Sequence, residues 1–255
     1  MNRFINLMAV CVFTILICVW ACGVCAAQGI PEMITIPAGN FIMGSDKYDN
    51  EKPAHQVYLD TYEISKNLVT VAQYRFFCQM TARKMPDPPS WGWADDHPMV
   101  NLGWYDADDY CRWAGGRLPT EAEWEKAARG TDGREYPWGN EWDKTKCANS
   151  EQEMKSTDPV GHYPSGASPY GCMDMAGNVW QWCSDWYDPA YYKESPAKNP
   201  KGADSGTYRV ERGGGWSGLA RCAYRNVSDC GLTYYSAMGV RLVRLPGHYP
   251  LPMCK

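Results

Sequence analysis

The chain has 255 residues, 45% hydrophobic and 21% charged, which suits one large globular domain or two small ones and excludes intrinsic disorder and a multi-pass membrane protein. Twenty-five Lys and Arg against 29 Asp and Glu leave a formal charge of −4, so there is no basic excess for a phosphate backbone and nucleic acid is not an expected partner. Twelve Trp and 17 Tyr beside only 5 Phe, with 24 Gly and 18 Pro, predict an irregular, turn-rich α+β fold packed on amphipathic aromatics.

At the N-terminus Arg3 precedes an almost unbroken apolar run, Phe4 to Val24, that ends in the small residues Ala26-Ala27. This pattern reads as an export signal covering 1–27. The run also approaches the length that crosses a bilayer, so an uncleaved anchor is the alternative, and the membrane is a partner only in that form. A lipid on Cys22 is a third reading, disfavoured by the bulk of Trp20. All three place the remaining chain outside the cytoplasm, in the periplasm, the cell envelope or the medium. Cleavage would remove four of the 12 cysteines and leave Cys78, Cys111, Cys147, Cys172, Cys183, Cys222, Cys230 and Cys254. None of them sits in a CxxC pair or a Cys/His zinc spacing, and an even number in an exported chain predicts disulfides, though some could be buried and reduced.

Residues 33–45 alternate apolar and polar on either side of Pro37-Ala38-Gly39-Asn40 and predict a β-hairpin. Gln56–Leu59 and Tyr62–Ile64 are further strand signals. Thr70 followed by apolar residues at helical spacing through Cys78 predicts a capped helix, and Pro86–Trp93 a loop. A second helix is expected from Asp106, on the spacing of Ala107, Tyr110, Cys111 and Ala114, with Gly115-Gly116 as its stop. In Thr120–Gly130 the Thr120/Glu123 pair forms a capping box. Glu121 and Glu125 are expected to face solvent rather than to form an acid/base cluster. Beyond residue 130 the proline- and glycine-containing segments 136–140, 163–166 and 168–171 predict turns. No linker or repeat divides 30–245, so these residues are read as one domain, with 246–255 as a tail.

Several segments in order, Ile36–Ser45, His97–Val100, Gly116–Glu125, Tyr136–Gly139, Met175–Trp182, Arg212–Trp216 and Gly239–Leu242, resemble the formylglycine-generating enzyme family, also called sulfatase-modifying factors. The resemblance covers about residues 33–244 and implies a C-type-lectin-like α+β fold with little regular secondary structure. In that family's oxidases, two cysteines just after a Gly-Gly-Ser-Phe-like turn bind copper(I) and convert a sulfatase cysteine to formylglycine. Two thiolates held together suit that soft cation. Here the turn reads Gly213-Gly214-Gly215-Trp216-Ser217-Gly218. Gly218 stands where the first of those cysteines belongs, Gly215 replaces a serine, and the insertion carrying the second cysteine is missing. Cys222 and Cys230 are the candidates to replace the pair if an oxidase survives; a disulfide between them is the plainer reading. A sulfoxide-synthase role would need a His-rich helical domain, and His55, His97, His162 and His248 are scattered.

The resemblance also implies a calcium site, with the Asp174 and Gln181 side chains and the Gly177 and Val179 carbonyls as ligands. An Asp-capped turn leading to Trp180 and Trp182 is the competing reading. The 209–244 segment is rich in Tyr, Ser, Asn, Asp and Arg, a make-up suited to recognition surfaces. Trp216, Tyr224, Asn226, Asp229, Tyr234 and Tyr235 are therefore the candidate ligand surface, packing of the loops being the alternative for the tyrosines. The expected function is that of an exported binding or structural module of the cell envelope, for an unidentified protein or envelope ligand.

Overall fold

The computed structural model describes residues 29–218, 220–230 and 236–247. The apolar segment 4–24, Tyr234, Tyr235, His248 and Cys254 lie outside the described residues, among which no helix is long and apolar enough to cross a membrane. The strands are β1 (Met33–Ile36), β2 (Gly39–Met43), β3 (His55–Leu59), β4 (Tyr62–Ser65), β5 (Trp180–Trp186), β6 (Tyr208–Arg212), β7 (Asn226–Asp229), β8 (Met238–Gly239) and β9 (Val243–Arg244). The helices are α1 (Val71–Thr81), α2 (Trp104–Trp113), α3 (Glu121–Arg129) and the single turn α4 (Tyr191–Glu194).

The strands form three sheets, ordered β1-β4-β9, β2-β3 and β7-β6-β5-β8. The hairpin expected over 33–45 does not form, because β1 and β2 do not pair with each other. Antiparallel partners for β1 come from β4 (Met33 opposite Ser65) and for β2 from β3 (Gly39 opposite Leu59). Pro37 has no N–H to give to a ladder and Ala38 donates its own to Thr61 Oγ1 at 3.1 Å, so Pro37-Ala38 steps the chain between sheets instead of reversing it.

Thr70 caps α1 as expected: Oγ1 accepts the Gln73 N–H at 3.2 Å and the Gln73 side-chain oxygen accepts the Thr70 N–H at 3.0 Å. The second helix starts two residues earlier than expected, at Trp104, because Asp106 is the third helical residue and accepts the Gly103 N–H. In α3 the capping box closes, with Thr120 and Glu123 exchanging bonds of 3.1 and 2.8 Å.

Alternation along β5 places a core on each face of the four-stranded sheet. Cys183 joins Val210, Trp124, Phe41 and Ile64 on the α3 side, while Trp182 joins Tyr74, Phe77, Tyr110 and Val240 on the side of α1 and α2. Trp124 and Trp182 are fully buried, and each spends its indole N–H inside, on Gln181 Oε1 and on the Leu102 carbonyl. The predicted aromatic packing is thus anchored by hydrogen bonds as well as by area.

Candidate functional site

Strand β6 runs straight into the Gly213–Gly218 turn, and the turn is tied to the loop before β5. Gly177 donates its N–H to the Gly213 carbonyl and Trp216 to the Asn178 carbonyl, both at 2.8 Å. Gly213 has φ +95° and a Cβ there would meet Gln181 and Trp124 at 3.0–3.1 Å, so the first glycine is fixed by both backbone and space. Gly218 is different: nothing lies within 4 Å of where its Cβ would be.

Aromatic rings surround the turn. Trp216 meets Trp91 edge-on at 6.1 Å, and Trp180 lies 5.6 Å from Tyr224. The Arg221 guanidinium stands over Tyr48 and Tyr224 while holding Glu51 at 2.7 Å. Of the expected ligand surface, Trp216 and Tyr224 therefore flank the turn, Tyr224 through Trp180. Asn226 and Asp229 lie along β7, where Asn226 donates to Glu211 Oε2 at 2.9 Å. Tyr234 and Tyr235 are outside the described residues.

The two candidate replacement cysteines are not brought together. Cys222 is completely buried on the α3 side, and burial pushes its thiol up to about 12. Cys230 is half-buried and packs against the α1/α2 core, on the other face of the sheet. A pair so divided offers copper(I) no shared thiolate site, and no group of three or more His, Cys, Asp or Glu among the described residues is placed to hold a metal. The disulfide expectation also changes, since the seven described cysteines are all unbridged, six of them buried as small apolar residues.

The expected calcium ligands do not fit that cation. Gln181 Oε1 already accepts two hydrogen bonds, from Trp124 Nε1 at 2.8 Å and from Arg241 Nε at 2.9 Å, while its Nε2 donates to the Asp174 carbonyl. Both lone pairs are used, and a guanidinium stands where the cation would. The Asp174 carboxylate accepts the Gly161 N–H at 2.7 Å, and burial raises its pKa despite that bond and the nearby Arg241. The Asp174 carboxylate thus ties its own turn to the loop at Gly161.

Sequence reasoning missed the buried charges behind the turn. Glu121 and Glu125, expected in solvent, are enclosed and paired: Arg225 grips Glu121 at 2.7 and 2.9 Å, Arg129 reaches Glu125 at 2.7 Å, and Arg212 contacts both glutamates. Burial alone would raise the Glu121 carboxyl, but Arg225 and Arg212 outweigh it and hold its pKa below the ordinary value. All nine residues of α3 are buried, so spacing along the helix carries no signal for these two glutamates; their partners Arg212 and Arg225 lie far along the chain. At the start of α3, Asp185 accepts the Glu121 N–H at 2.9 Å, and burial with the Glu121 charge pushes its carboxyl up to about 7.

Residues 24–246 match the family described as "Sulfatase-modifying factor enzyme 1-like domain". The chain belongs to this family. Among its relatives, the formylglycine-generating enzyme of Streptomyces coelicolor is 35% identical over 72% of this chain and 78% of its own length. The serine/threonine-protein kinase pkn1 of Chlamydia caviae is 35% identical over 78% of this chain, which spans only 36% of that relative's length. Among solved structures, PvdO from Pseudomonas aeruginosa superposes with a TM-score of 0.74 at 26% identity, over 84% of this chain and 94% of its own. The sulfatase-modifying-factor, C-type-lectin-like α+β fold expected from the sequence is therefore the observed one.

Proposed function

We propose that this chain is an exported, non-catalytic member of the sulfatase-modifying-factor family, a binding or structural module of the cell envelope. The observation that carries this reading is the separation of Cys222 from Cys230 across the four-stranded sheet, together with glycine at position 218. Thiol oxidation needs an accessible thiolate, and a thiol completely buried with its pKa at about 12 supplies almost none at neutral pH. What remains around the turn is a set of half-buried aromatic rings, Trp91, Trp180, Trp216 and Tyr224, on a rigid frame, which suits binding. Export rests on the Phe4–Val24 run behind Arg3.

The test is a conversion assay read by mass spectrometry, with the copper(I)-treated protein and a peptide carrying the Cys-x-Pro-x-Arg sulfatase motif. Unchanged peptide, beside a formylglycine-generating enzyme run in parallel, is the expected result. Formylglycine in the product overturns the reading and makes the oxidase activity, through Cys222 and Cys230, the function.

A further inference from the structure

Of the described tryptophans only Trp142 is exposed, at 38%. An indole left in water forgoes hydrophobic stabilisation, yet this one is held in place from two sides. Its Nε1–H donates to Glu151 Oε1 at 2.9 Å, and its ring leans on Tyr136 and Trp138 with centroids 5.3 and 6.0 Å away. Tyr136 and Trp138 are stacked on each other at 5.3 Å and 7°, and Trp138 gives its own N–H to the Glu141 carbonyl at 2.9 Å. Beneath them Trp138 packs against Cys147, Ala176 and Ala220, which ties the rings to the body of the fold. Both indole N–H groups are spent inside the protein, so what Trp138 and Trp142 have left to offer is ring surface.

That surface lines a hollow of about 570 Å³, within the roughly 300–1,000 Å³ of small-molecule sites. The backbone of the lining is fixed as firmly as the rings. Asp143 Oδ1 accepts the Thr145 N–H at 3.0 Å, and the Lys144 carbonyl takes bonds from the Asn149 and Gln152 side chains at 2.8 and 2.9 Å. Among the described residues, the Asn140 amide N–H groups, the Glu141 carboxylate and the Lys144 ammonium, all in this lining, have no partner. Donors and acceptors therefore stand ready around a rigid aromatic platform.

We propose that this hollow is a saccharide-binding site, in which the apolar face of an uncharged sugar ring lies on Trp142 and its hydroxyls meet Asn140, Glu141 and Lys144. The inference goes beyond the non-catalytic reading and does not depend on it. The ligand class follows from the make-up of the lining. A cation needs ring faces set apart to receive it, whereas these three rings pack on one another, and Lys144 and Lys146 stand in the same lining. An anion would meet Glu141, Asp143 and Glu151. A wholly apolar ligand would strip water from the charged side chains around the rings without replacing its hydrogen bonds. A sugar ring suits both halves of the site: its C–H face covers the indole, and its hydroxyls donate to the carboxylate and accept from the ammonium and the amide.

The experiment follows the indole N–H resonances of Trp138 and Trp142 by NMR while the protein is titrated with cellobiose, N,N′-diacetylchitobiose, maltose and mannobiose, with tetramethylammonium and acetate as charged comparisons. Saturable shifts of both resonances with at least one disaccharide, and with neither ion, are expected. Trp142→Ala should weaken that disaccharide at least about tenfold, as loss of a central aromatic contact does. Trp142→Phe, which keeps a ring face without the bond to Glu151, should retain part of what the alanine variant loses and keeps the test open if that variant does not fold. Tyr105→Ala removes another exposed ring, far from this lining in the sequence, and should leave the affinity unchanged. No shift from any of the four disaccharides at about 50 mM, a stronger response to tetramethylammonium or acetate, or an equal loss in Tyr105→Ala overturns the site. None of these readouts involves copper or peptide conversion, so the saccharide site and the non-catalytic reading fail separately.

Discussion

Arg212 of β6 reaches Glu125 of α3 with neither side chain touching solvent. The same guanidinium donates to the carbonyls of Cys222 and Ala223 at 2.8 and 3.1 Å, so one arginine joins helix, sheet and the strand-bound segment after the glycine turn. Removing one member of such a buried set leaves the others uncompensated. Glu125→Leu, which takes the carboxylate away from Arg212, Arg129 and the Gly44 N–H together, should therefore destabilise the fold by about 3–5 kcal/mol. Urea denaturation of the variant beside the wild type measures it, and a loss below about 1 kcal/mol would show that the network contributes little.

Stability should fall with rising pH between the ordinary carboxyl range and neutrality. Burial pushes both Asp185 and Glu211 up to about 7, well above the ordinary carboxyl range, so in that window the folded chain keeps protons that the unfolded chain has released. Asp185 also faces the Glu121 charge, with the Glu121 N–H and the Ser184 hydroxyl as its donors. Glu121 acts in the opposite sense: its lowered pKa gives stability that is present above the ordinary carboxyl value and lost as acid protonates it. The optimum therefore lies between the acid loss set by Glu121 and the alkaline loss set by Asp185 and Glu211. Urea midpoints from pH 4 to pH 8 should drop by the equivalent of several kcal/mol on the alkaline side, and Asp185→Asn with Glu211→Gln should flatten that limb.

Much of this fold was legible because local signals and tertiary structure agree. Thr70, Thr120 and Glu123 announce their helices by residue type and spacing, and the caps form with those atoms. Where the reading failed, the deciding partner lay far away in sequence. Pro37-Ala38-Gly39-Asn40 resembles a reversal until β3 and β4 are seen to supply both ladders. Glu125 resembles a solvated helix residue until Arg212, 87 positions later, is placed against it. The candidate site divides in the same way: Gly213 and Trp216 could be placed by motif, but the isolation of Cys222 from Cys230 depends on which sheet face each residue occupies, which spacing alone did not reveal.

Two glycines near the candidate site should respond oppositely to alanine. Gly177 has φ +76°, and a Cβ there would lie 2.1 Å from the Ala148 carbonyl oxygen, a backbone atom that cannot swing aside. Gly177→Ala should cost at least about 2 kcal/mol from the left-handed backbone and the overlap together. Gly218→Ala meets open space and should stay within about 0.5 kcal/mol of the wild type. Thermal unfolding of both variants checks the contrast, and equal losses would show that the turn is not held as described.

Thiol reactivity separates the cysteines by burial. Cys230 is the one described cysteine that is not buried, whereas Cys222 is completely enclosed and its thiol is raised to about 12. Alkylation proceeds through the thiolate, so iodoacetamide at pH 8 should modify Cys230 first and leave Cys222 untouched in the native protein. Peptide mapping by mass spectrometry after timed quenching reads the order directly. Cys222→Ser should cost on the order of 1–3 kcal/mol, because a hydroxyl replaces a thiol in an apolar enclosure, and should leave binding at the turn unchanged. Rapid labelling of Cys222 in the folded chain would mean that its surroundings open readily, and would return that thiol to consideration as a reactive group.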